Sequence, residues 1–306
     1  MNYGIVGLGK QGQQHLAALQ VLNKLDSDIN IIVCDIDDNY INTLSSKLGV
    51  PGYSSCKQML ERNKIDILIL ALPNDKYEDI LKLENLENVM VIKEKPFAIN
   101  MTEADSYINL MDRKKIKFNV VQNRFFSNHY ITAKKWFEDG LVGDTLFFDY
   151  RYTLNDRKES WYWDKKSGGG CWLNVGWHFA FIVEWFFGTP QKTKVKKIKS
   201  SKQAFEYDTD DTVFVECMYG GFTGTAYMSV ADSFKEDSFK IVGSNGTIHV
   251  SKENAVFIDN DGNVKFKEKA EGLLSYMTQI KYIFNDSIHD VLLEYNKKAM
   301  ELISNN

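Results

Sequence analysis

The residues best suited to chemistry stand near the start of the chain. Gly7-Leu8-Gly9-Lys10-Gln11-Gly12 has the spacing G-x-G-x-x-G. It follows the apolar run Tyr3 to Val6 and precedes Leu16, Leu19, Leu22 and Leu25, which recur at helical spacing. In a strand–turn–helix context each glycine has a task. The first permits a tight turn, the second lets backbone approach a pyrophosphate, and the third lets helix and strand pack closely. The helix start then offers N–H groups and positive potential to phosphates. Gly7, Gly9, Lys10, Gln11 and Gly12 are therefore the expected dinucleotide cradle. Asp35 ends the next apolar run, where a carboxylate accepts hydrogen bonds from ribose hydroxyls and repels a 2′-phosphate. Ile36, Asp37 and Asp38 follow, with no nearby Arg or Lys to hold such a phosphate. NAD(H) is expected rather than NADP(H). A helix N-cap is the plainer role for Asp35, and the two are compatible.

A second candidate is the corner Glu94-Lys95-Pro96, read as following the fifth strand. Ligands of open α/β sheets bind outside the carboxyl ends of the strands, which puts Lys95 at the nicotinamide end. Hydride transfer needs the nicotinamide C4 beside a carbon bearing a hydroxyl or carbonyl, and the oxygen must lose or gain a proton in concert. A lysine can polarise that oxygen and a histidine can exchange the proton. A cis Lys95–Pro96 bond would be compatible with this corner but is not legible in the sequence.

The elements that must position these groups follow from periodicity. Apolar runs at Tyr3 to Val6, Ile29 to Cys34, Ile65 to Leu72 and Val89 to Ile92 alternate with helical patterns. Such runs are what strands buried on both faces look like, and the alternation implies a parallel sheet. After about residue 121 the character changes. Tyr130 to Phe137 reads as a helix, Leu146 to Leu154 as a strand, and Cys171 to Phe187 as one helix after Gly168-Gly169-Gly170. Strand-like runs then succeed one another, Thr212 to Tyr219, Thr223 to Val230, Phe239 to Val242, Thr247 to Val250 and Ala255 to Ile258, with a hairpin turn at Asp261-Gly262. Strands without intervening helices imply an antiparallel sheet. Glu271 to Ser304 reads as two helices. The expected fold is α/β: an N-terminal Rossmann domain over 1–121 with a mostly parallel sheet, and a C-terminal α+β domain over 122–306 with a large, open, mostly antiparallel sheet. The second domain is expected to bind substrate and to mediate oligomerisation, and its last helix could pack back on the first.

Composition narrows the function classes. A formal net charge of −4 argues against a nucleic-acid partner. The densest basic stretch, Lys192 to Lys202, alternates Lys with Val, Ile and Ser and reads as the solvated face of a strand. The four cysteines are far apart, so no zinc site is expected and a reducing compartment fits. No signal-peptide pattern opens the chain and no apolar run nears the ~20 residues that span a bilayer. A cytoplasmic protein with no membrane partner and no metal is expected.

Taken together, the motifs resemble the glucose–fructose oxidoreductase / inositol dehydrogenase (Gfo/Idh/MocA) family. The glycine turn with His15 three residues beyond it resembles the family opening. Leu72-Pro73-Asn74 resembles its Pro-Asn corner, with Tyr77 near the place of an absent histidine. Glu94-Lys95-Pro96 followed by Thr102-Glu103-Ala104 is similar to its most diagnostic stretch. Asn123-Arg124-Phe125 with Gly140-Leu141-Val142-Gly143-Asp144 resembles its domain crossover, and Trp161-Tyr162-Trp163-Asp164, Gly168-Gly169-Gly170 and His178 resemble its substrate-domain motif. The likeness runs from residue 1 to about 190.

The resemblance implies an NAD(P)-dependent oxidoreductase acting on CH–OH groups of a sugar, cyclitol or sugar-nucleotide-like polyol. It implies Lys95, His178 and Asn174 as catalytic residues. It adds Leu72, Pro73, Asn74, Glu94, Lys95 and Asn123 to the cofactor contacts. Lys95, Arg124, Trp161, Trp163, Asn174 and His178 become substrate contacts. Asn174 stands where the family carries an aspartate four residues before the histidine. Spacing of four puts both on one helix face. The amide can orient a hydroxyl but cannot raise the imidazole pKa by charge. Tyr162 replaces an arginine common in relatives. His129, His249 and His289 read as structural, and most of the aromatic cluster as core. A homo-oligomer, dimer or tetramer, is implied by the resemblance alone. Two alternatives follow from the same family: a non-catalytic NAD(H)-binding regulator, and an NAD-dependent hydrolase or lyase using transient oxidation.

Overall fold

The computed structural model describes the chain except residues 26–27, 157–162, 166, 201–204, 273 and 283–285, and gives only backbone for 274, 281, 282 and 286. Two compact units emerge, Met1–Gln122 with Tyr276–Asn296, and Asn123–Ser275 with Lys297–Asn306.

The first unit holds a six-stranded parallel sheet. Its strands are β1 (Asn2–Val6), β2 (Asn30–Cys34), β3 (Gly52–Tyr53), β4 (Ile67–Leu70), β5 (Met90–Lys93) and β6 (Lys117–Val120), in spatial order β3-β2-β1-β4-β5-β6. All five pairings are parallel. That order is the doubly wound one, with its crevice where the order reverses between β1 and β4. The central strands are apolar because both faces are covered: Ile67, Leu68, Ile69 and Leu70 are all 0% exposed. Helices α1 (Lys10–Leu25), α2 (Asp38–Leu48), α3 (Cys56–Arg62), α4 (Tyr77–Leu81) and α5 (Met101–Lys114) connect the strands. Local chemistry sets their ends. Asp37 caps α2 by accepting from Tyr40 N–H, and Asn100 caps α5 by accepting from Glu103 N–H.

The second unit carries an eight-stranded sheet of β7 (Thr145–Asn155), β8 (Lys192–Ile198), β9 (Thr212–Met218), β10 (Thr223–Ser229), β11 (Ala231–Gly243), β12 (Gly246–Ser251), β13 (Asn254–Asp259) and β14 (Val264–Lys269). The order is β14-β13-β12-β11-β7-β10-β9-β8, antiparallel except for the β7–β10 pair. Side chains alternate between faces. On β7, Phe148, Tyr150 and Tyr152 meet Phe187, Phe179 and His178. Asp149 and Arg151 point the other way and line an open depression with Lys194, Phe214, Glu216 and Tyr227. The expected solvated strand is β8, whose burial alternates with its lysines.

One expected helix is two. Gly170–Asn174 (α7) and Gly176–Phe187 (α8) meet at Val175. His178 N–H reaches Val175 O, three residues back, where an α-helix would use the fourth. Trp172 crowds the joint: a Cβ on Gly176 would stand 2.5 Å from its ring. Asn174 and His178 thus flank a break and do not share a continuous helix face. Helix α6 (Asn128–Glu138) precedes the sheet.

The chain ends in α9 (Leu274–Tyr282) and α10 (Asp286–Ser304), the two expected helices. In the first unit they are tied to β6 by buried amides. Gln122 Nε2 donates to Asn296 Oδ1 at 2.6 Å, Asn296 Nδ2 to Asn119 Oδ1 at 3.2 Å, and Gln122 N–H to Gln279 Oε1 at 3.3 Å. Asn119 and Asn296 are 0% exposed. Replacing Asn296 by Ala orphans Gln122 Nε2 and leaves Asn119 Oδ1 with the Val120 N–H alone; an orphaned buried group costs ~1–3 kcal/mol. Chemical denaturation should therefore show Asn296→Ala destabilised by roughly 1–3 kcal/mol; a loss below about 0.5 kcal/mol would show that water takes over the bonds.

Candidate functional site

The glycine turn has the shape its spacing requires. Gly7 has φ +86°, and a Cβ there would lie 2.3 Å from Ala71 O. A Cβ on Gly12 would lie 1.9 Å from Gly7 O. Both positions exclude any side chain. Gly9 differs: a Cβ there meets no protein atom within 4 Å. The chain's own packing does not demand a glycine at that point, so the space before α1 is free for a ligand. Lys10, Gln11 and Gly12 open α1, where helix N–H groups have no intrahelical acceptor. Gln11 Oε1 accepts from Tyr276 OH at 3.0 Å.

Asp35 is half-buried at the end of β2. Its Oδ2 accepts from Leu8 N–H at 2.7 Å and its Oδ1 from Asp37 N–H at 3.2 Å. The carboxylate therefore braces the glycine turn, and it retains lone pairs for further donors. The N-cap of α2 is Asp37 and not Asp35. Ile36 is 91% exposed and the residues after it are acidic, an unfavourable surround for a 2′-phosphate.

Two corners lie at the carboxyl ends of β4 and β5. At the first, Leu72 and Pro73 are half-buried, and Asn74 is 4% exposed with no partner for its Nδ2. An orphaned buried donor is what a missing ligand leaves behind. The open Gly9, the spare acceptor capacity of Asp35 and the orphaned Asn74 amide together fit a dinucleotide. At the second corner the Lys95–Pro96 bond is cis and Lys95 is half-buried. Glu94, an expected cofactor contact, places its Oε1 2.8 Å from His15 Nε2, and its Oε2 accepts from Lys95 N–H at 3.3 Å. His15 also packs edge-on against Tyr276, 5.1 Å away.

Sequence reasoning passed over Lys93. It ends β5 and is 1% exposed. Its Nζ donates to Glu94 O at 3.1 Å and Pro96 O at 2.6 Å, and stands 3.8 Å from the centre of the Tyr77 ring. A lysine beside a Glu-Lys-Pro corner reads as a solvated charge; only its place at the end of a fully buried strand hints otherwise.

In the second unit, His178 is half-buried with its ring 6.1 Å from Tyr152. Asn174 is buried and its Nδ2 donates to Gly168 O, so this amide anchors the triple-glycine segment. Arg124, expected at the substrate, makes a bidentate pair with Asp237 at 3.0 and 2.9 Å and donates to Tyr130 OH at 3.2 Å. Asp237 holds the Arg124 guanidinium firmly charged despite its burial. Trp163, also expected at the substrate, is 2% exposed and packs on Phe205 and Tyr207. It is core because its neighbours enclose the whole ring. Trp161 and Tyr162 lie outside the described residues. Asn123 Oδ1 is buried without a partner. All four cysteines are buried and free, and no metal-binding cluster occurs among the described residues. No described helix is long and apolar enough to cross a membrane.

Burial lowers the Lys93 ammonium to about 7, against the opposing pull of Glu103 and Glu94. Between about pH 7 and ~10.4 the unfolded chain then holds more proton on this group than the fold does. Its contribution to stability must rise with pH across that window and vanish below it. Thermal midpoints of wild type and Lys93→Met should diverge in favour of the wild type as pH rises from about 7 towards 10. A pH-independent difference would contradict this.

Residues 1–122 match an oxidoreductase family's NAD-binding Rossmann fold, and residues 130–249 match the GFO/IDH/MocA C-terminal domain. An uncharacterized oxidoreductase of Schizosaccharomyces pombe is 26% identical over 196 residues, 62% of this chain and 53% of that protein. The chain thus spans about half of that relative's length. A 2,7-anhydro-N-acetylneuraminate hydratase of Mediterraneibacter gnavus is 23% identical over 290 residues, 91% of this chain and 73% of that protein. Levoglucosan dehydrogenase, solved with NADH and levoglucosan, superposes with a TM-score of 0.82 at 16% identity, covering 99% of this chain and 96% of that one. That likeness shows the fold. From both domain matches, the chain belongs to the GFO/IDH/MocA oxidoreductase family, with an NAD-binding Rossmann domain at its start.

Proposed function

We propose that the chain is a dehydrogenase or ketoreductase that moves a hydride between NAD(H) and a hydroxyl-bearing or keto carbon of a sugar, cyclitol or sugar-nucleotide-like substrate. The observation that carries this reading is the glycine turn. Gly7 and Gly12 are closed to side chains by the fold itself, whereas Gly9 is closed only if a ligand comes there. Bound NAD supplies the hydride acceptor, or NADH the donor. Gly7, Gly9 and the first N–H groups of α1 take the pyrophosphate, and Asp35 accepts from the ribose. Leu72, Pro73, Asn74, Lys95 and Asn123 serve as further cofactor contacts. Asn74 and Asn123 each have a buried polar atom to offer. Lys95 polarises the reacting oxygen and His178 exchanges its proton. Asn174 acts by holding the glycine segment that precedes α7. Arg124 acts through the cluster it forms with Asp237 and Tyr130. Asp149, Arg151, Phe214 and Tyr227 on the open face of the sheet suit contact with a second copy of the chain, so the proposed state is a homo-oligomer.

A second reading is favoured by one relative. The hydratase aligns along 91% of the chain, which supports elimination or hydration through transient oxidation. In that case NAD would stay bound and absorbance would not change during turnover.

On a panel of polyols and their ketones, Lys95→Ala and His178→Ala should each lower turnover at least about 100-fold, the scale of a lost acid–base group. A loss below about 3-fold in both would remove the two residues from the mechanism. Product formation with no net NADH change would select the second reading.

A further inference from the structure

The corners after β4 and β5 are joined from beneath by Lys93 and Tyr77. Tyr77 is 0% exposed. Its OH donates to Leu72 O at 2.8 Å and accepts from Leu72 N–H at 3.1 Å, so the phenol pins both backbone groups of the first corner. Its ring face lies under the Lys93 ammonium, 3.8 Å away. The ammonium in turn binds Glu94 O and Pro96 O. Those two carbonyls belong to the residues on either side of Lys95.

A lysine here is an expensive way to fill a core position. Methionine or leucine would occupy similar volume without removing a charge from water. What the lysine adds is direction: one nitrogen donating to two carbonyls that bracket a single residue, held over an aromatic face. Glu103, which accepts from Ile99 N–H and Tyr107 OH, and Glu94, held by His15, are the carboxylates that face the charge. The arrangement links the backbone of Leu72 to the backbone around Lys95 through one lysine and one ring.

We propose that Lys93 and Tyr77 form a buried clasp that fixes the Leu72-Pro73-Asn74 and Glu94-Lys95-Pro96 corners relative to each other, with Lys93 the positioning residue for Lys95. The inference rests on the reading that Lys95 and Asn74 meet the cofactor.

The test is an equilibrium titration with NADH, followed by nicotinamide fluorescence, of the full chain and of K93M, Y77F, K95M and K93M/K95M. Thermal unfolding checks that each variant is folded. K95M and K93M should each weaken NADH binding about 3- to 10-fold, and the double variant should bind within about 2-fold of K95M, because a residue acting through Lys95 has nothing left to position. Y77F keeps the ring under Lys93 Nζ and loses the hydroxyl's bonds to Leu72 and its long bond to Leu70 O; it should weaken binding about 3-fold. A folded K93M with wild-type affinity overturns the clasp, as do penalties that multiply in the double variant. Should K93M not fold, wild-type affinity in a folded Y77F overturns it equally. K95M binding NADH like the wild type would refute the underlying reading of Lys95 and take the inference down with it. K95M weakened beside a silent K93M would remove the inference alone.

Discussion

The first unit is built on an approach so close that two side chains must be missing from it. Helix α1 can rest on the end of β1 only because Gly12 offers no Cβ to Gly7 O, and the turn can pass β4 only because Gly7 offers none to Ala71 O. Any larger residue at either position would push the helix off the sheet. Once α1 is seated, His15 reaches Glu94 at 2.8 Å, and the helix that opens the phosphate cradle is bonded to the corner that carries Lys95. Asp35 braces the same turn from the β2 side through Leu8 N–H. The candidate site therefore follows from one steric constraint and from buried polar ties made to it.

Those ties are unlike ordinary core packing. Apolar burial stabilises without direction, and it dominates β4 and α8. Around the site the interior instead holds Lys93, Glu94, His15, Asn119, Gln122 and Asn296, each less than 7% exposed. Buried polar groups carry a desolvation cost and return it only with correct geometry. The return here is a fixed backbone at the ends of β4, β5 and β6. In the second unit the Arg124–Asp237 pair plays a comparable part, clamping the start of that unit to β11 beside Tyr150 and Tyr152.

The regular parts of this fold were legible because periodicity reports burial. The β1, β2, β4 and β5 runs, the antiparallel succession after residue 190 and the two closing helices all announce themselves that way. Strands β3 and β6 did not. The first is two residues long, and the second, Lys117-Phe118-Asn119-Val120, places a buried asparagine where an apolar residue would mark a strand. The joint at Val175 was hidden because the residues on both sides are good core residues and no proline marks the break. Motif glycines were readable since their spacing encodes a backbone shape. Lys93 was missed, and the surroundings of Arg124 and Trp163 were not legible, because they come from the folded packing. Asp237 lies far from Arg124 in sequence, and the Glu94 and Pro96 carbonyls and the Tyr77 ring enclose Lys93 only once β5 is buried.

The central claim is that the glycine turn and Asp35 together hold NAD(H). The most direct measurement is equilibrium binding of NADH and, separately, NADPH to the purified chain. Tighter binding of NADH is the expected result, since a carboxylate at the end of β2 and the acidic residues after it accept ribose hydroxyls and repel a 2′-phosphate. Tighter binding of NADPH, or binding of neither by a folded chain free of retained nucleotide, would contradict it.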